Sequence, residues 1–168
     1  MTAASAAGPE EGGAAARATA IIARLTESGA TLAAAESLTG GLLTGALTSV
    51  PGASAVVRGG IVAYATQVKA DLLDVDAELL ERVGPVSPGV AGAMAQGARR
   101  RLGATWGIST TGEAGPDSAS GQPVGTVHLA VSGPRGDQVA SVRIEGDRAQ
   151  VRAAAVAAAL DLLANAIE

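Results

Sequence analysis

Three places in the chain combine residue types that can do chemistry with backbone suited to hold them. The first is AAAESLTGG, residues 33–41, where Ser37 follows Glu36 and stands just ahead of Thr39, Gly40 and Gly41. A serine at a strand end, with the N–H groups of a helix start beside it, can act as a nucleophile whose developing negative charge those amides stabilise. The same residues also fit a plain helix start, with Ser37 or Thr39 as N-cap and the glycines allowing close packing. Nucleotide motifs do not fit. TGGLLTG lacks the G-x-G-x-x-G spacing, and Gly45 is followed by Ala46 and Leu47 where a phosphate-binding loop needs Lys and Ser or Thr. The G-x-S-x-G elbow is absent as well, because Ser37 sits in AESLT.

A serine nucleophile needs a base. His128 alternates with Val127, Leu129 and Val131 and reads as a satisfied histidine inside a strand. Lys69 is the better candidate. It lies about one helical turn past the strand that ends near Tyr64, and a lysine desolvated among apolar groups loses its proton more easily. Tyr64, the only tyrosine, stands where a hydroxyl could relay a proton. The competing reading of Lys69 is an ordinary solvated helix lysine. The third place is STTGEAGPDSASGQPVGTV, residues 109–127. Its turn-forming residues make either a surface loop or a nest of backbone N–H groups around Thr111, Gly112 and Gly115 that grips a phosphate or carboxylate. Asp117 beside it either binds a ribose hydroxyl or caps the turn.

Composition removes several other chemistries. The 168 residues contain no cysteine and one histidine, so disulfides, thiolate catalysis and thiolate or imidazole metal centres are not expected. Twelve basic against sixteen acidic residues, scattered arginines, and a single Trp and Tyr speak against a nucleic-acid groove with stacking platforms. MTAASAAGPEEGG has neither the basic start nor the apolar run of a signal peptide, and the Ala-rich end is interrupted by Arg152 and Asp161. A cytoplasmic protein with no membrane contact is the expectation.

These places must be held by an α/β framework. Residues 1–13 read as a disordered N-terminal tail, and 14–168 as a single domain. Ile21, Ile22 and Leu25 mark a first helix ending near Gly29. TLAAAES is a buried strand and GGLLTGALTSV the helix after it. GGIVAY is a second strand running into the helical ATQVKADLL. SPGVAGAMAQGARRRL opens with Ser87 as N-cap and Pro88 at the first helical position. TWGISTT is a third strand; GTVHLAVS and QVASVRIE form a hairpin across GPRGD. A long helix from Asp147 closes the chain. This order predicts a mostly parallel mixed sheet of about five strands, with helices on both faces and one antiparallel strand. In such sheets ligands bind beyond the carboxyl ends of the strands, which is where all three places fall.

Taken together, AAAESLTGG, RGGIVAYATQVKADLLDV, VSPGVAGAMAQGAR, STTGEAGPDSASGQPVGTVHLAV and GDRAQVR closely resemble the CinA C-terminal family, in order from about residue 15 to the end. That family includes stand-alone nicotinamide-nucleotide amidases. Its larger members carry an additional N-terminal domain, for which this chain has no room. The resemblance implies a three-layer α/β/α fold and a homo-oligomer. It further implies hydrolysis of the carboxamide of nicotinamide mononucleotide to nicotinate mononucleotide and ammonia, with no cofactor and no metal. The family's catalytic positions fall on Ser37 as nucleophile and on Tyr64 and Lys69 as the proton-handling pair. The amides of Thr39, Gly40 and Gly41 would receive the oxyanion, and Arg58 and Arg148 are the candidate partners of the substrate phosphate. The alternative is a non-catalytic nucleotide-binding or competence-associated protein of the same fold. The intact Ser37, Tyr64 and Lys69 argue for catalysis.

Overall fold

A run of small and branched apolar residues makes strand β1, Leu32–Glu36, a fully buried interior strand. The computed structural model describes the chain from Pro9 to Glu168, with side chains from residue 13 onward. Of the tail expected over residues 1–13, residues 1–8 lie outside the described residues, and helix α1, Pro9–Ser28, covers the remainder. After β1 come α2, Leu42–Thr48, a short 3-10 turn at Ala53–Ala55 and β2, Val57–Val62. Three helices follow: α3, Thr66–Leu73, α4, Ala77–Val83, and α5, Pro88–Arg101. The chain then forms β3, Trp106–Gly112, β4, Thr126–Gly133, β5, Gly136–Arg143, and α6, Arg148–Ile167.

The five strands lie in the order β2-β1-β3-β4-β5. β1 pairs in parallel with both β2 and β3, while β3–β4 and β4–β5 are antiparallel, so β4 alone runs against the rest. The mixed sheet with one antiparallel strand agrees with the expectation from sequence. Helix α4 is the one α-helix not anticipated. It is a single short amphipathic stretch, capped by the Asp76 carboxylate accepting from the Glu78 amide.

Strand alternation divides the core into two layers. Leu32 and Ala34 of β1 and Trp106 and Ile108 of β3 pack with α1, α2 and α6. Ala33 and Ala35 pack on the other face with Leu73 of α3, Leu80 of α4 and Val90, Met94 and Ala98 of α5. Small residues let the helices come close. A Cβ at Gly107 would meet the Ala95 carbonyl oxygen at 2.1 Å, so no larger residue fits between β3 and α5. Helix α6 is the one described helix long and apolar enough to cross a membrane by length and composition. Its apolar face, with Val151, Ala155, Ala159 and Leu163, is buried in the core instead.

The strand order sets the site. From β1 the chain crosses to β2 on one side, then returns past β1 to β3 on the other. The loops leaving β1 and β3 therefore diverge, and a crevice opens beyond their carboxyl ends.

Candidate active site

The same alternation that sorts the core sends Glu36 and Ser37 to opposite faces. Glu36, in phase with Leu32 and Ala34, turns toward α2; Ser37, in phase with Ala33 and Ala35, turns toward α3. The Ser37 amide donates to the Thr110 carbonyl, which ties the end of β1 to β3 (2.9 Å).

Helix α3 presents Lys69 from the other side. Its side chain is almost fully buried, and Nζ lies 3.0 Å from Ser37 Oγ and 2.8 Å from the Ala63 carbonyl oxygen. Among the described residues no carboxylate pairs with it. Burial without a counter-ion disfavours the ammonium, and it lowers the Lys69 pKa from 10.5 to about 8. As an ammonium Nζ donates to Oγ; as a neutral amine it can accept the hydroxyl proton. A buried lysine on a serine is the geometry of a Ser–Lys nucleophile and base.

Around this pair lies a crevice of about 230 Å³, lined among others by Leu38, Tyr64, Thr111, Gly112, Asp117 and Arg148. Tyr64 sits just past β2, more than half exposed. Its hydroxyl accepts from the Arg148 guanidinium (2.8 Å) and makes no hydrogen bond to Ser37 or Lys69. Arg148, at the start of α6, also donates to the Gly115 carbonyl (2.7 Å), so the loop after β3 holds this guanidinium at the crevice rim. The Thr111 hydroxyl donates to the Pro85 carbonyl, leaving that residue as crevice wall.

Two sequence-based placements need correction. Arg58 stands near the start of β2, between Val57, which pairs with Leu32, and Gly59, which pairs with Ala33. The parallel register thus puts it at the end of the sheet opposite Ser37, away from the crevice. The amides of Gly40 and Gly41 are also occupied. Gly40 donates to the Ser37 carbonyl (3.1 Å) and Gly41 to Glu36 Oε2 (3.0 Å). Thr39 is fully buried, its hydroxyl held by Glu36 Oε2 (2.6 Å) and Thr110 Oγ1 (2.7 Å), so neither it nor Ser37 caps α2. Both glycines adopt positive φ, +56° and +101°, which explains the pair.

The capping is done by Glu36, a residue to which the sequence reading assigned no role. Its buried carboxylate accepts from the Gly41, Leu43 and Thr44 amides and from the Thr39 and Thr44 hydroxyls, at 2.6–3.0 Å. A Cβ on Gly60 would lie 2.1 Å from Thr44 Oγ1, so the glycine leaves room for this cluster. Glu113 is a second unassigned carboxylate. It lines the crevice, buried, and accepts from the amides of Ala119 and Ser120, fastening the loop around Asp117. The sequence cue for both was an acidic residue beside small residues at a strand end. His128 is the satisfied sheet residue expected, with Nδ1 2.8 Å from Ser141 Oγ and its pKa lowered by burial. Among the described residues no group of His, Cys, Asp and Glu is placed to hold a metal ion.

The sequence model of one family, described as the CinA C-terminal domain, matches residues 14–167. A CinA-like protein of Frankia casuarinae is 56% identical over 143 residues, which is 85% of this chain and 33% of that protein. One from Anaeromyxobacter sp. (strain K) is 50% identical over 148 residues, covering 88% of this chain and 36% of its own length. The chain thus spans about a third of the length of the curated relatives it matches. Among solved structures, the competence/damage inducible protein CihA of Agrobacterium tumefaciens superposes with a TM-score of 0.89 at 38% identity, covering 99% of both chains. A competence-damaged protein (CinA) superfamily protein of Escherichia coli gives 0.87 at 33% identity, covering 96% of this chain and 94% of that one.

Proposed function

The chain belongs to the CinA C-terminal domain family, and from that premise we propose that it is an amidase that hydrolyses the carboxamide of nicotinamide mononucleotide. The observation that carries this reading is the 3.0 Å contact between Lys69 Nζ and Ser37 Oγ at the wall of an open crevice. In the proposed reaction Ser37 Oγ attacks the carboxamide carbon while its proton passes to Lys69. The tetrahedral intermediate collapses as Lys69 returns that proton to the leaving nitrogen, and ammonia departs. Water then attacks the resulting ester, again giving a proton to Lys69, and the acid is released with Ser37 restored.

Two groups support the rest of the assignment. The amides of Leu38 and Thr39 make no hydrogen bond among the described residues, and they follow the nucleophile directly. We assign them the oxyanion in place of the engaged Gly40 and Gly41 amides. Arg148 supplies a guanidinium at the rim, suited to the phosphate of a mononucleotide, with Tyr64 attached to it and Asp117 across the crevice for a ribose hydroxyl. Tyr64 reaches the reaction through substrate or a small rearrangement, since its hydroxyl rests on Arg148. In this reading the enzyme needs no cofactor, works as a homo-oligomer in the cytoplasm, and meets neither nucleic acid nor membrane.

The test is incubation with nicotinamide mononucleotide followed by analysis of both products. Ammonia and nicotinate mononucleotide formed in equal amounts support the amidase. Release of free nicotinamide, or no turnover, overturns it.

A further inference from the structure

The turn that follows Ser37 is held from two sides. On the α2 side Glu36 takes amides and hydroxyls. On the other side a single residue of α6, Arg152, takes carbonyls: Nε donates to the Leu38 oxygen (2.9 Å) and Nη2 to the Thr39 oxygen (3.2 Å). Arg152 is half-buried and makes no hydrogen bond to Ser37, Lys69 or Tyr64. Gly40 makes room for it, because a Cβ there would come within 3.2 Å of Arg152 Nη2.

Peptide geometry gives this contact a consequence. In a trans peptide the carbonyl and the following N–H point in opposite directions. Drawing the Leu38 carbonyl onto Arg152 therefore turns the Thr39 N–H away from Arg152. The Ser37 carbonyl, held by the Gly40 amide, fixes the Leu38 N–H in the same way. These are the two donors of the turn with no acceptor among the described residues. A guanidinium on the carbonyls also polarises the peptide groups and strengthens their N–H donors.

We propose that Arg152 is a positioning residue for the amidase reaction: it holds the peptide planes after Ser37 so that the Leu38 and Thr39 amides receive the oxyanion. This rests on the amidase reading given above. Its signature differs from that of a binding residue or a base. Stabilisation confined to the transition state lowers kcat with little change in KM when it is lost. Lys69 keeps its surroundings, so the pH profile should not move.

Two readouts test it, one independent of the natural substrate. The first is steady-state hydrolysis of nicotinamide mononucleotide by wild type, Arg152→Lys and Arg152→Ala. The second is the rate at which an alkyl fluorophosphonate labels Ser37; Oγ bonds to phosphorus, fluoride leaves and the hydroxyl proton passes to Lys69. We expect Arg152→Ala to lose about 10- to 100-fold in kcat, less than the roughly 10²- to 10³-fold cost of removing an oxyanion donor outright, because the amides stay in place and lose only their orientation. KM should stay within about twofold, the inflection of the pH profile should not move, and labelling should slow in parallel. Arg152→Lys, which can hold one carbonyl, should fall between, and millimolar ethylguanidinium should restore part of the lost rate in Arg152→Ala. Equal labelling rates in wild type and both variants overturn the proposal. So does a loss that only tracks the folded fraction by circular dichroism, or a shifted inflection. A wild type that labels quickly at Ser37 but leaves the nucleotide intact overturns the substrate assignment alone, and the labelling rates still decide the role of Arg152.

Discussion

Lys69 Nζ lies 3.0 Å from Ser37 Oγ, and no carboxylate among the described residues shares it. The proton on that nitrogen is governed by burial, which brings its pKa down from 10.5 to about 8. A base must be neutral to accept a proton, so kcat/KM should rise with pH through one ionisation near 8 and then level off. Lys69→Arg should be as damaging as Lys69→Ala, because a guanidinium keeps its charge and cannot accept the proton. A pH–rate profile of wild type and an ammonia assay of both variants check this; an active arginine variant would remove Lys69 from the mechanism.

The same ionisation affects stability, with a sign that can be worked out. The unfolded chain holds the Lys69 proton up to 10.5, whereas the folded chain releases it near 8. Between those values the unfolded state binds more protons, so stability rises with pH there, while below 8 the cost of the buried ammonium is full and constant. A depression of this size corresponds to about 3 kcal/mol. Urea titrations at pH 7, 9 and 10.5 should therefore show wild type gaining on Lys69→Met as pH rises. A constant difference would contradict the buried, uncompensated lysine.

Glu36 should be a stability residue as much as a site residue. Its carboxylate satisfies three backbone amides and two hydroxyls in a fully buried position. Glu36→Ala strands those donors and should cost about 3 kcal/mol or more, while Glu36→Gln, which keeps one acceptor oxygen, should cost less. Denaturant midpoints of the two variants measure the difference. Equal and small effects would mean that the turn is held by something else.

How much of this could be read from residue order depends on the kind of signal. The helices and strands followed from apolar periodicity, Gly29 and the Ser87-Pro88 start. Ser37 and Lys69 were found because both lie just beyond strand ends, where an α/β sheet binds ligands. Helix α4 escaped, although Asp76 and Gly84 bracket it as caps, because seven residues carry too little periodicity. Arg58 was misplaced because register is a property of the pairing between β1 and β2, not of either strand alone. The engagement of the Gly40 and Gly41 amides was hidden for a related reason. Nothing in the order of residues says that Glu36 turns back to occupy the amide of Gly41. Arg152 meets the turn more than a hundred residues away in sequence, a contact that only the folded packing of α6 creates.

Arg148 should separate binding from chemistry. It reaches Tyr64 and the Gly115 carbonyl at the crevice rim and does not touch Ser37 or Lys69. Arg148→Ala should therefore raise KM for the mononucleotide about tenfold or more, the effect of losing a charge-assisted contact to phosphate, with a smaller change in kcat. The nucleoside that lacks the phosphate, nicotinamide riboside, should be turned over equally poorly by both proteins. A variant with unchanged KM for the mononucleotide would take Arg148 out of phosphate recognition.

The most direct measurement is ammonia release from nicotinamide mononucleotide by wild type and Ser37→Ala at pH 8.5, with folding of both checked by circular dichroism. Ser37 is a small residue at a strand end, so its loss should leave the fold intact while removing the nucleophile. Wild type should release ammonia and nicotinate mononucleotide in equal amounts, and Ser37→Ala should be slower by about 10⁴-fold or more. Ammonia release by the folded variant at a rate near that of wild type would contradict a reaction carried by Ser37.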